Sequence, residues 1–266
     1  MYIDTHAHLT NTNFDIPLEQ IISDLKSKGI GLIVSQSTSL EDTKKNLEIV
    51  SKYPTLVKTT IGIHPEDVPS DITNLTKDLS EFAKGNKDKF VAVGEVGLDD
   101  HMFSYDKSLN KELLQSNQEQ VLRDMISLAS ELNLPMVIHS RDESGSTRVI
   151  DKILNMLEGK SVKVVFHCFT YTDISIAESI LNLGHFISFT NIITYPKNTL
   201  LLDLAKTCSR KYIKQVMFET DAPYLPPKDR RGKTCYPSDV LAVYEEMKDT
   251  ISESQIESNA KTFFKI

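Results

Sequence analysis

Eight short runs of β-branched and aliphatic residues alternate with longer amphipathic stretches along this 266-residue chain, and that alternation constrains the fold more than any other feature. The runs are Tyr2 to His6, Gly31 to Ser35, Val57 to His64, Phe90 to Gly97, Pro135 to His139, Val162 to His167, Phe186 to Phe189 and Val216 to Asp221. Several are nearly continuously apolar, the pattern of parallel strands covered on both faces. Between them, Pro17 to Lys28 carries Leu18, Ile21, Ile22 and Leu25 on one helical face and stops at Gly29. Residues 111–133 read as the longest helix, and Asp173 to Leu183 as another, ended by Gly184. Eight such alternations in about 250 residues predict a (β/α)8 TIM barrel in preference to an open doubly wound sheet. No linker rich in Pro, Gly or Ser interrupts the chain and no repeat is visible, so residues 1–266 are expected to form one domain.

Charge and cysteine content narrow the function classes. A formal net charge of −7 argues against a surface that coats nucleic acid in general. It leaves room for a nucleic-acid enzyme, because screening over about 8–10 Å makes the local field near a site matter more than the total. No apolar run approaches the roughly 18 residues that span a bilayer, so no membrane association is expected. The first ten residues already contain Asp4, His6 and His8, which is unlike a signal peptide; a cytoplasmic monomer is the expectation. Cys168, Cys208 and Cys235 are few, odd in number and widely spaced, so they read as reduced thiols rather than a disulfide framework.

The chemistry lies at the tails of the runs. His6 and His8 are two residues apart on an extended segment, so both imidazoles point the same way, as a metal chelate requires. The third run ends in His64, the fourth in Glu95, the fifth in His139, the sixth in His167 and the eighth in Asp221. In a (β/α)8 barrel these tails form one rim, where active sites are built. Scatter of ordinary loop residues would bring Ser, Asn and Lys to both ends of the strands, whereas this set is made of metal-ligand types on one rim. His185 falls at the opposite end of its strand and His101 in the loop after the fourth run, and neither is assigned a role.

Six ligand groups, namely His6, His8, Glu95, His139, His167 and Asp221, exceed what one tetrahedral ion uses. Two divalent ions are therefore expected, one held by His6, His8 and Asp221 and the other by His139 and His167, with Glu95 as the bridge. Imidazole-rich ligation suits Zn²⁺ or Mn²⁺ better than Mg²⁺, which prefers oxygen, though Mg²⁺ stays a candidate. Asp221 is also placed to hydrogen-bond an attacking water. Arg141 follows His139 by two residues and so faces the same side. The loop Lys228-Asp229-Arg230-Arg231-Gly232-Lys233, with Arg231 and Lys233 as the candidate contacts, adds positive charge suited to phosphate. Its Gly-Lys-Thr is not a P-loop, because Pro227 stands where the first glycine belongs.

With these residues in hand, the chain resembles the TatD family of metal-dependent deoxyribonucleases, within the amidohydrolase superfamily. The resemblance covers nearly the whole length through Asp4-Thr5-His6-Ala7-His8-Leu9, Gly62-Ile63-His64-Pro65, Gly94-Glu95-Val96-Gly97-Leu98-Asp99, Ile138-His139-Ser140-Arg141-Asp142, His167-Cys168-Phe169-Thr170 and Glu219-Thr220-Asp221-Ala222-Pro223-Tyr224-Leu225. It implies hydrolysis of DNA phosphodiesters, trimmed from 3′ ends with single strands preferred, through a divalent metal pair on those six ligands. It also implies that His64 is a substrate-side histidine that holds phosphate or passes a proton, and that Glu95, Asp221 and His64 are catalytic. Departures fall at Asp100 and His101, where the family has aromatic residues, at Asn191 in place of glycine and at Cys235 in place of asparagine. The alternative is an amide or ester hydrolase such as a D-aminoacyl-tRNA deacylase, because the same ligands serve attack on carbon and on phosphorus.

Overall fold

The computed structural model describes residues 1–266. Eight strands, β1 (Tyr2–Ala7), β2 (Ile30–Ser35), β3 (Val57–Ile61), β4 (Ala92–Asp99), β5 (Met136–Arg141), β6 (Val164–Phe166), β7 (Phe186–Phe189) and β8 (Val216–Phe218), form one parallel sheet in sequence order. Around it run α1 (Leu18–Ser27), α2 (Leu40–Lys52), α3 (Leu75–Gly85), α4 (Met102–Tyr105), α5 (Lys111–Leu132), α6 (Arg148–Leu157), α7 (Ile174–Leu181), α8 (Thr199–Lys211), α9 (Val240–Met247) and α10 (Glu253–Phe264). This is the (β/α)8 barrel that the alternation predicts.

The barrel closes through a polar seam rather than a regular ladder. Asp221 N donates to His6 O at 2.9 Å and His8 N to Ala222 O at 2.7 Å. Asp4, fully buried, accepts from the Thr220 hydroxyl at 2.6 Å and the Thr220 N–H at 3.0 Å. The seam satisfies backbone groups that would otherwise be stranded at a strand edge.

The apolar core has two parts. The larger, of 55 residues, fills the layer between strands and helices. The smaller joins Ile3, Leu32, Val137, Val165 and Met217 from five strands with Ala260, Phe263 and Phe264 of α10. Residues of five strands of a closed sheet meet only in its lumen, so α10 plugs the N-terminal pole and leaves the other pole open.

Strand ends differ from the sequence reading in an instructive way. The third run was expected to stay extended to His64, yet β3 ends at Ile61 and His64 caps the 3-10 turn Pro65–Asp67, because Pro65 favours the start of a helical turn. The sixth and eighth runs likewise leave the ladder before His167 and Asp221. Glu95 lies inside β4, four residues before the strand ends at Asp99, rather than at its tail. A register shift between Val93 and Val96 accommodates it there.

Candidate metal centre

The seam brings three of the expected ligands together. Because β1 and the segment after β8 exchange backbone hydrogen bonds at His6, His8, Asp221 and Ala222, the side chains of His6, His8 and Asp221 converge. His6 Nε2 and His8 Nε2 are 3.3 Å apart, and Asp221 Oδ1 is 3.5 and 3.3 Å from them. Asp221 itself sits in the left-handed region at φ 62°, a conformation costly for a non-glycine residue and one that the seam imposes.

β4 and β5 supply the centre. A Cβ at Gly97 would lie 1.9 Å from His139 O, so only glycine allows the two strands this close. Glu95, 1% exposed, then projects among the imidazoles with its oxygens divided. Oε2 lies 3.2 Å from His6 Nε2 and 3.4 Å from His8 Nε2. Oε1 lies 2.7 Å from His167 Nε2, 3.0 Å from His139 Nδ1 and 3.3 Å from His64 Nε2. Each oxygen of one carboxylate thus faces its own set of nitrogens.

Two further carboxylates stand behind these rings: Asp99 bonds and orients His139, and Glu219 lies beside His167 without a hydrogen bond to it. His139 Nε2 lies 2.9 Å from Asp99 Oδ2, which turns Nδ1 toward Glu95. Glu219 Oε1 lies 3.5 Å from His167 Nδ1 and accepts from Cys168 N at 2.6 Å, while its Oε2 accepts from Ser188 Oγ at 2.6 Å. A carboxylate behind a ligating imidazole fixes the ring and its tautomer. Period-two alternation held the signal for Glu219, two residues before Asp221, and for Asp99, two after Gly97 and paired in register with Arg141.

Electrostatics match a site built for cations. Burial works against charge throughout, yet Asp99 and Glu95 raise the His139 imidazole to about 9. His167 is likewise raised against its burial by Glu95 and Glu219, and His8 by Asp221 and Glu95. His6, fully buried and stacked on the His167 ring at 4.0 Å, is lowered by that burial and by His167. Glu95 and Asp221 are held below their usual range by the surrounding imidazoles in spite of burial. The carboxylates thus favour positive charge on three of these imidazoles, the sign of charge that a metal ion would also bring.

The donor set fits such a group. Glu95 Oε2 is buried and makes no hydrogen bond, although two imidazole nitrogens are within 3.4 Å. Donor atoms of His6, His8 and Asp221 lie within 4.8 Å of one another, and so do those of His64, Glu95 and His139 and of His6, His167 and Glu219. The first trio matches the expected grouping, and His64 comes closer to the second set than expected. His64 Nδ1 accepts from Glu66 N at 3.2 Å, so a neutral His64 carries its proton on Nε2 and is a donor rather than a ligand.

A cavity of about 730 Å³ opens above these groups, bordered by Arg141, Glu66, Asp67, Thr38, Ile192 and Tyr224 among others. Arg141 takes the expected place. Arg231 and Lys233 are not part of its lining. Arg231 stacks over the Tyr195 ring at 4.7 Å, and Gly232 turns the chain at φ 81° before Lys233. Arg230 pairs with Asp239 at 2.7 Å, so most of the predicted basic loop is spent internally. The departures also find partners. Asp100, 3% exposed, takes a bidentate pair from Arg148 at 2.5 and 2.6 Å, and Asn191 Nδ2 reaches Cys235 Sγ at 3.6 Å. The two departures at 191 and 235 therefore touch. His101 immediately precedes α4 and lies outside the cavity lining.

Comparison with known proteins agrees with this architecture. A family profile described as TatD related DNase matches residues 3–265. The chain is 32% identical over 273 residues to the uncharacterized metal-dependent hydrolase YabD of Bacillus subtilis (strain 168), covering 100% of both. The crystal structure of YjjV, a TatD homolog from Escherichia coli K12, superposes with a TM-score of 0.85 at 24% identity, over 100% of this chain and 98% of that one. The Escherichia coli phosphotriesterase homology protein, complexed with phosphate in its active site, shares the fold at a TM-score of 0.66 and 16% identity, over 99% and 98%. The sequence motifs, the barrel and the family match together show that this chain belongs to the TatD family of metal-dependent hydrolases.

Proposed function

We propose that the chain is a deoxyribonuclease that hydrolyses phosphodiester bonds from the 3′ end of single-stranded DNA. The observation that carries this reading is the divided Glu95 carboxylate, one oxygen facing His6 and His8 and the other His139, His167 and His64. His6, His8 and Asp221 would hold one divalent ion, His139 and His167 a second, and Glu95 both; zinc, manganese and magnesium are the candidates. Bound there, such a pair supplies hydroxide at neutral pH and offsets charge on phosphate oxygens. Asp221, kept ionised by its imidazole neighbours, offers a carboxylate oxygen to orient the attacking water. His64 presents Nε2–H as a donor to a phosphate oxygen, and Arg141 pairs with the next phosphate along the strand. A cavity of about 730 Å³ receives the end of one strand more readily than paired duplex. The description of the matching family supports DNA as the substrate.

A second reading is favoured by Glu66 and Asp67, acidic residues on the cavity wall that suit an ammonium group. It takes the ester of a D-aminoacyl-tRNA as substrate, the carbonyl being attacked in place of phosphorus. Cleavage of single-stranded DNA labelled at either end separates the two. Metal-stripped protein should be inactive, protein with Mg²⁺, Mn²⁺ or Zn²⁺ restored should release the 3′ label first, and Asp221→Asn should do neither. Turnover of D-aminoacyl-tRNA without DNA cleavage would overturn the nuclease reading.

A further inference from the structure

At the pole opposite the metal centre, the loops that enter β5, β6, β7 and β8 and the end of α10 enclose a cleft of about 390 Å³. Three lysines border it: Lys163 just before β6, Lys214 just before β8 and Lys265 just after α10. None of the three pairs with a carboxylate, and no Asp or Glu belongs to the lining. Elsewhere nine lysines, Lys28 and Lys44 among them, are ion-paired and twelve are not, so what marks this cleft is that three unpaired lysines border one opening. Lys163 Nζ donates to Gly184 O at 3.1 Å and Lys265 Nζ to Asn133 O at 2.6 Å, which fixes both stems over the cleft with N–H donors to spare. Lys214 makes no hydrogen bond or ion pair. The floor is apolar, formed by Phe186 and Phe263 with ring centroids 5.0 Å apart.

We propose that this cleft is a binding site for a small phosphate monoester with an apolar body, of the class of a nucleoside monophosphate. Three unneutralised ammonium groups around one opening favour a dianion, and lysine is a ready partner for phosphate as a point charge. The volume lies at the lower end of small-molecule sites, and an apolar floor with a few polar groups at the rim is how such sites bind. None of its residues belongs to the metal centre, so the cleft serves its ligand whichever bond the enzyme cuts.

Calorimetric titration of metal-stripped protein with thymidine 5′-monophosphate, in chelator so that no ion recruits phosphate to the other pole, tests this. One molecule should bind per chain, and Lys214→Ala should weaken it about tenfold, the loss of one charge-assisted contact. Arg141→Ala, at the metal-centre cavity, should leave it unchanged. Thymidine and inorganic phosphate should each bind at least about tenfold more weakly than the nucleotide. The exposed Lys214 holds nothing in place, so its loss does not threaten folding; as a second measurement, the nucleotide should shield Lys214 from acetylation as read by mass spectrometry. No saturable binding, equal affinity in wild type and Lys214→Ala, or phosphate binding as tightly as the nucleotide would overturn the proposal.

Discussion

Asp99 and Glu219 face no open cavity, yet each stands behind a histidine that faces Glu95. Replacing them with Asn and Gln keeps size and removes the anion that aligns His139 and the one that faces His167. Each change should weaken metal binding roughly 10–100-fold with little effect on thermal stability. Titration with Mn²⁺ followed by calorimetry measures it, and unchanged affinity would mean that the rings are held by packing alone. The raised His139 adds a pH signature. A ligand imidazole must be deprotonated, so with its pKa at about 9 a proton has to be displaced at neutral pH. Metal affinity should therefore climb as pH rises from about 6 to 9 and level off above; a flat profile would contradict this assignment of charge. Arg141 is the lone Arg or Lys of the cavity lining, so Arg141→Ala should flatten the salt dependence of cleavage by roughly 0.7 in a log–log plot, one phosphate contact on single strands.

At the scale of elements, the β1–β8 seam decides whether His6, His8 and Asp221 meet at all. Thr220→Val removes the hydroxyl that donates to buried Asp4 at 2.6 Å and leaves that carboxylate oxygen short of a partner. The expected cost is about 1–3 kcal/mol in urea unfolding, accompanied by weaker metal binding. Loss of stability with intact metal affinity would show that the seam does not position the site. The same region shows how far sequence reasoning reaches. All eight β runs were legible within about three residues because parallel strands covered on both faces leave unbroken apolar stretches; Val57 to His64 and Val216 to Asp221 overran most, the former because Gly62-Ile63 continues the apolar pattern after the backbone has left the ladder. His6, His8, His64, Glu95, His139, His167 and Asp221 come together because strand tails in a barrel share a rim. Period-two spacing puts Asp99 and Glu219 on the side of the ligands, but which ring each one faces across the strands is not encoded along one strand. Arg231 and Lys233 lie outside the cavity lining for a related reason: where a loop charge goes depends on backbone path, which stacks Arg231 on Tyr195 and turns the chain at Gly232.

For the whole molecule, the pole away from the metal centre contributes an acid sensitivity of its own. Burial, with Lys163 adding to it, lowers the His185 imidazole from 6.5 to about 4. Between those values the unfolded chain binds a proton that the folded chain refuses, so stability is full above 6.5 and falls as pH drops toward 4. The loss is on the order of 2–3 kcal/mol. His185→Gln should flatten this slope in urea midpoints compared at pH 7.5 and 4.5, and an unchanged slope would move the acid sensitivity elsewhere. No helix is long and apolar enough to cross a membrane.

Glu95 is proposed to serve two cations at once. Metal content per chain, measured by mass spectrometry on wild type and Glu95→Gln after equilibration with Mn²⁺ and gel filtration, tests this most directly. Two ions per wild-type chain, with both lost or weakened together in the variant, is the predicted result. A single ion in wild type, or a variant that still holds two, would contradict it.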